Sequence, residues 1–182
     1  GNPQYDFQIM PACYSCGTCA LCRAGVVTLC RRRRSIGVHV NGAMANYVVV
    51  PAKYTYRIPD GTSALDEKML YAMAEPLACV VRGVYEKINV RPGDVVVVSG
   101  SGVMGQFAAQ LFKSRGAYVT LCGLPSGREK LELARSLDAD EVVMSTDALR
   151  EAVFKKNPEG ADITCDATGV LASLETCMQV IR

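Results

Sequence analysis

Asp94-Val-Val-Val-Val-Ser-Gly-Ser-Gly-Val-Met-Gly105 decides the fold. Four consecutive valines, 95–98, make a run that is apolar on both faces, as a strand buried inside a parallel sheet must be. The strand ends in a G-x-G-x-x-G turn, Gly100, Gly102 and Gly105. Val103, Phe107, Leu111 and Phe112 then recur at helical spacing and predict a helix over Val103–Arg115. Strand, glycine turn and helix in that order are the context in which the turn binds a dinucleotide pyrophosphate. Gly100 permits the tight bend, Gly102 leaves room for phosphate against backbone, and Gly105 lets helix and strand approach. Ser101, Val103 and Met104 complete the turn, and the first-turn amides carry the partial positive charge that favours an anion.

Downstream, Tyr118–Cys122, Asp140–Met144 and Asp162–Asp166 read as further strands. Arg128–Leu137, Thr146–Lys156 and Leu171–Ile181 read as helices between and after them. Such alternation means βαβ units, a parallel sheet and right-handed crossovers. An acid at the end of the second strand would accept a ribose 2′-hydroxyl and select NAD. Here Cys122-Gly123-Leu-Pro-Ser126-Gly-Arg128 has no acid before Glu129. Gly123 offers space, and Ser126 and Arg128 offer donors for a 2′-phosphate, so NADP is expected over NAD. The plainer reading of Arg128 is a solvated residue in a first helical turn.

Upstream, Pro92-Gly93-Asp94 is a turn, residues 64–89 are helical in pattern, and Pro59-Asp60-Gly61 is another turn. Gly42–Pro51 and Tyr54–Ile58 read as extended segments. The domain boundary is expected between Tyr71 and Asn89, dividing the chain into 1–75 and 76–182.

The cysteines are concentrated: of nine, five lie between Cys13 and Cys30. Cys16, Cys19, Cys22 and Cys30 form C-x-x-C-x-x-C-x7-C, which suits a tetrahedral Zn(II). Four thiolates leave no position for water, so such a site is structural. The even spacing of Cys13, Cys16, Cys19 and Cys22 also resembles an iron–sulfur run, but Arg23 stands where that pattern continues differently. Arg31–Arg34 follow at once, either as a solvated basic face or as an offset to the negative charge of a Zn(Cys)4 centre. Cys79, Cys122, Cys165 and Cys177 sit in apolar or helix-like runs and read as core filling. Together these imply a reducing compartment and a cytoplasmic location. The net charge of +2 gives no electrostatic case for nucleic acid or membrane partners. No apolar stretch approaches the ~20 residues of a membrane span, and the N-terminus has no secretory-signal pattern.

The two motifs, in this order, resemble the zinc-containing medium-chain dehydrogenase/reductase superfamily. Gly42-Ala-Met-Ala-Asn-Tyr-Val-Val-Val-Pro-Ala52, Arg57-Ile-Pro-Asp-Gly61, Ala74-Glu-Pro-Leu-Ala78, Arg91–Gly100 and Asp162-Ile-Thr-Cys-Asp-Ala-Thr-Gly169 are each similar to a segment of that family. Asn46, Ala43 and Asp138 depart from it, the last standing where the family has glycine. The resemblance implies a GroES-like, β-rich catalytic domain carrying the zinc lobe, followed by a Rossmann-type doubly wound α/β domain. It implies hydride transfer between a secondary alcohol or polyol and NAD(P), a second, catalytic zinc in the full-length parent, and a homodimer or homotetramer. Glu75, of the Glu-Pro-Leu segment, is implied to lie beside that catalytic zinc; its alternative is a helix N-terminal acid. The family's remaining catalytic zinc ligands have no counterpart here, and His39, the only histidine, lacks their sequence context. The chain therefore reads as an internal piece that alone is not expected to turn over an alcohol. The competing class is a non-catalytic nucleotide-binding zinc protein or redox sensor.

Overall fold

The computed structural model describes residues 8–59 and 64–182. The chain divides into two units, Gly1–Glu75 and Pro76–Arg182. In the first, β1 (Gln8–Ile9), β2 (Cys13–Tyr14), α1 (Ala20–Arg23), β3 (Arg34–Ser35), β4 (Tyr56–Arg57) and α2 (Leu65–Leu70) follow in order. β1 pairs antiparallel with β4, and β2 with β3. Among the described side chains of this unit, Cys30 alone is a buried apolar one. Tyr14 stacks on Tyr54 at 5.5 Å, and the Tyr54 hydroxyl donates to the Ser15 carbonyl, 2.5 Å away.

Two extended segments behave differently from their pattern. Residues 42–51 form no strand, and Tyr47 and Val49 are over nine-tenths exposed. An extended segment becomes a strand only by pairing, and no other described segment pairs with it. Within 54–58 only Tyr56–Arg57 pair, after a 3₁₀ turn at Ala52–Tyr54. The turn expected at Pro59-Asp60-Gly61 lies largely outside the described residues.

The expected helix over 64–89 is segmented. After α2 comes a 3₁₀ turn, Tyr71–Met73, then α3 (Ala74–Val81), then a π-helical turn, Arg82–Lys87. Pro76 accounts for the first break: it has no N–H, and its ring obstructs the carbonyl four residues back, so it is tolerated only in a first turn.

The second unit holds β5 (Val95–Ser99), α4 (Val103–Ser114), β6 (Tyr118–Cys122), α5 (Arg128–Ser136), β7 (Glu141–Val143), α6 (Thr146–Lys156), β8 (Ile163–Asp166) and α7 (Leu171–Val180). The sheet is parallel, in the order β7-β6-β5-β8. Alternation of side chains sends Val96 and Val98 to one face, against Ala108, Ala109 and Phe112 of α4 and Leu131 of α5. Val95 and Val97 face the other side, against Leu149 and Val153 of α6 and Val180 of α7. All four valines are buried, which is why this stretch is apolar without a period. The helix-spacing expectation for α4 needs one adjustment. Val103 is half exposed, and the buried stripe runs Gly105, Gln106, Ala108, Ala109, Phe112. No helix among the described residues is long and apolar enough to cross a membrane.

Candidate nucleotide groove and thiolate cluster

From β5 the chain builds β6 and β7 towards one edge of the sheet and then returns to place β8 on the other side of β5, and ligands of open α/β sheets bind at such a switch point. A groove of about 720 Å³ opens there. Ser99, Gly100, Ser101 and Gly102 form its floor. Gly123, Leu124, Ser126, Gly127 and Lys130 form one wall, and Ala167, Thr168, Val170, Ser173 and Thr176 the other.

The glycines differ in what they permit. Gly100 has φ +115°, and a Cβ there would meet the Ala167 backbone at 3.0 Å. A Cβ on Gly105 would fall 1.8 Å from the Gly100 carbonyl oxygen, so this position admits only glycine without a backbone shift. A Cβ on Gly102 would meet nothing within 4 Å, and its φ of −73° is ordinary. Neither strain nor packing explains glycine at 102; the space over it faces the groove. Gly102 is also the N-cap of α4 and supplies no side-chain cap, so the first-turn amides stay available to another acceptor. Val103 and Met104 belong to this turn through their backbone; their side chains do not line the groove.

Gly123 has a packing role as well. A Cβ there would fall 2.8 Å from Leu131 Cδ2 and 2.9 Å from Ser101 Oγ. Ser126 lines the groove. Arg128 does not: it is largely exposed, and its Nε lies 3.5 Å from Glu132 of the same helix. The cation in the groove wall is Lys130, which sequence reading missed. Helical geometry could have found it. Residues 128 and 130 project from opposite sides of α5, and Lys130 adjoins the buried Leu131.

Asp166 closes β8. Its carboxylate accepts from the Thr168 hydroxyl (2.6 Å), the Ser173 hydroxyl (2.7 Å) and the backbone N–H groups of Thr168 (3.2 Å) and Gly169 (3.3 Å). Burial works to raise its pKa, but the hydrogen bonds together outweigh it and hold the carboxyl below the usual range.

In the first unit Cys16, Cys19, Cys22 and Cys30 converge, with all four ligand atoms within 4.8 Å of one another. Individual Sγ–Sγ separations are 3.4 Å (19–22), 3.6 Å (16–30), 3.9 Å (16–22) and 4.0 Å (19–30). A tetrahedron of thiolates at about 2.3 Å from one Zn(II) has edges of about 3.8 Å. The four therefore fit a single tetrahedral ion. Cys13 lies in β2 and does not join them. The Cys16 thiol is pulled down to about 5, first by the Thr18 backbone N–H and then by that of Cys19. Arg32 donates to Thr18 Oγ1 at 2.9 Å, and Thr18 Oγ1 donates to Cys16 Sγ at 3.7 Å. One of the four arginines is thus tied to the cluster through a hydroxyl.

The other expected residues fall elsewhere. Glu75 is exposed in the first turn of α3. His39 accepts the Ser35 N–H at Nδ1. Cys79 is exposed, contrary to the core-filling expectation, because α3 turns only Val80 fully inward. Cys177 is buried, and burial, followed by Asp166, pushes its thiol up to about 11.

Fold and geometry define the class: a Rossmann-type α/β unit following a unit of two short antiparallel ribbons with a four-thiolate lobe. Residues 103–182 match the family model described as zinc-binding dehydrogenase, and residues 7–60 that of the alcohol dehydrogenase GroES-like domain. The chain belongs to the zinc-containing medium-chain dehydrogenase family. D-arabitol-phosphate dehydrogenase of Enterococcus avium is 33% identical over 174 residues, covering 93% of this chain and 47% of that protein. Sorbitol dehydrogenase of Halalkalibacterium halodurans is 30% identical over 169 residues, covering 92% and 48%. A Sinorhizobium meliloti 1021 protein described as a zinc-binding dehydrogenase, solved with NADP bound, superposes with a TM-score of 0.81 at 31% identity, covering 96% of this chain and 51% of that one. The chain thus spans about half the length of the curated relatives it matches.

Proposed function

We propose that this chain forms part of a zinc-dependent dehydrogenase that passes a hydride between a secondary alcohol, typically a polyol, and a nicotinamide dinucleotide. The observation that carries the reading is the open space over Gly102, at the mouth of a helix whose first amides no side chain caps. In this reading those amides and Ser101 hold the pyrophosphate. NAD(P), when bound, supplies the hydride acceptor or donor at the nicotinamide ring. Ser126 and Lys130 offer a hydroxyl and a cation to a 2′-phosphate, and no acid on that wall opposes one, so NADP is favoured over NAD. The cysteine tetrad holds a structural Zn(II), because its sulfur separations match one ion and leave no position for water. Glu75 would contribute one carboxylate to the catalytic metal of the whole enzyme; the described residues assemble no other metal-ligating group.

Calorimetric titration with NADP and NAD tests the first part. NADP is expected to bind about tenfold more tightly, and Lys130→Ala to erase the difference. Tighter binding of NAD would reverse the assignment. Elemental analysis tests the second, with one zinc ion per chain expected from the single tetrad. In the whole enzyme, Glu75→Gln should depress turnover while NADP affinity stays unchanged.

A further inference from the structure

The wall of the groove on the β8 side is held by a network converging on Asp166. A hydroxyl has a single proton, so the direction of the network is fixed. Ser173 gives its proton to Asp166 Oδ1 at 2.7 Å, so in the 2.7 Å contact between Ser173 and Ser99 the proton comes from Ser99. Ser99 is part of the groove floor, directly before the glycine turn. The Ala167 N–H donates to the Ser99 carbonyl at 2.8 Å. A Cβ on Gly100 would fall 3.0 Å from the Ala167 carbonyl and 3.1 Å from Thr168 Cγ2, so residues 167–168 are seated directly on the turn. The loop after β8 thus has one anchor, Asp166, and one surface to rest on, the bend at Gly100.

We propose that Asp166 is a positioning residue for the dinucleotide. Through Thr168, Gly169 and Ser173 it fixes the wall that receives the half of the cofactor lying beyond the pyrophosphate. The inference rests on the nucleotide reading above. A dinucleotide centred on the glycine turn places one half against the Gly123–Lys130 wall and the other against the Ala167–Thr176 wall. Asp166 touches only the second wall. It adds no contact to the ligand; it removes the need to order that wall on binding, which is a recognised source of affinity.

The two halves can be separated by ligand choice. 2′,5′-ADP and 5′-AMP carry the adenosine side and nothing beyond its 5′-phosphate, whereas NADP and NAD occupy both walls. Dissociation constants are compared for the native chain, Asp166→Ala and the milder Ser173→Ala, whose unchanged circular dichroism verifies folding. Asp166→Ala is expected to weaken NADP and NAD about tenfold while 2′,5′-ADP and 5′-AMP stay within about twofold. Ser173→Ala should follow the same pattern at smaller amplitude. Equal weakening of whole cofactors and half-ligands would mean a general structural role and overturn the proposal, as would no effect on any ligand. If the native chain binds none of the four, the nucleotide reading fails, and this inference with it; if it binds them and the variants show no split, only this inference fails.

Discussion

Asp138 stands where the resembling family has glycine, and its φ is +66°, the one positive value among described non-glycine residues. The left-handed conformation penalises a Cβ, and Asp tolerates it better than most. Asp138→Gly should therefore stabilise the second unit by about 0.5–1 kcal/mol, read as a rise in denaturant midpoint. A fall would mean that the Asp138 side chain contributes more than its backbone costs. Gly102 and Gly105 make a sharper pair. Gly105→Ala drives a Cβ into the Gly100 carbonyl and should cost about 2–3 kcal/mol or prevent folding. Gly102→Ala meets no atom and needs no strained φ, so stability should hold within about 1 kcal/mol while NADP binding falls at least about tenfold. At this scale the glycine turn was legible, because the tasks of its three glycines follow from chain geometry. Lys130 rather than Arg128 lines the groove, a distinction not legible because the sequence says a cation is near a helix start, not which side of the helix faces the groove.

Elements were legible where their pattern is set by their own burial. The β5 valines, α4 to α6 and the strands between them satisfy their backbone within the second unit. Residues 42–51 show the converse: a largely apolar sequence with three β-branched valines before Pro51 that remains unpaired among the described residues, since pairing depends on a partner the local pattern does not specify. Gln106 was invisible for a related reason. It is a polar residue in the buried stripe of α4, and its value lies in another element. Its Nε2 donates to the Ser101 carbonyl at 3.3 Å and to the Lys130 carbonyl at 2.6 Å, tying the glycine turn to the first turn of α5. Gln106→Leu preserves bulk but removes this donor from both carbonyls. An expected loss of about 1–3 kcal/mol should appear as a lower urea midpoint with an unchanged slope. A neutral result would show that water replaces the amide at no cost.

Across the whole chain, apolar burial is divided very unevenly. Apart from Cys30, every buried apolar side chain described belongs to the second unit, most of them in the two clusters on the faces of a single sheet. The described residues of the first unit form two two-stranded ribbons, a few short helical turns and the cysteine tetrad. So small a described core offsets little of the entropy of ordering its loops, and on the proposed reading zinc binding at the tetrad supplies further stability. Among the described residues the metal-ligating cluster lies in the first unit and the proposed nucleotide groove in the second. Two transitions are therefore expected in calorimetry of the zinc-loaded protein. A strong chelator should abolish the first and move the second by less than about 2 °C, because no buried contact of the sheet depends on the ion. NADP at about 100 times its dissociation constant should add about 2.7 kcal/mol to the second transition and leave the first in place. One transition that moves with both ligands would instead show that the units unfold as a single cooperative block, with the thiolate lobe drawing its stability from the sheet.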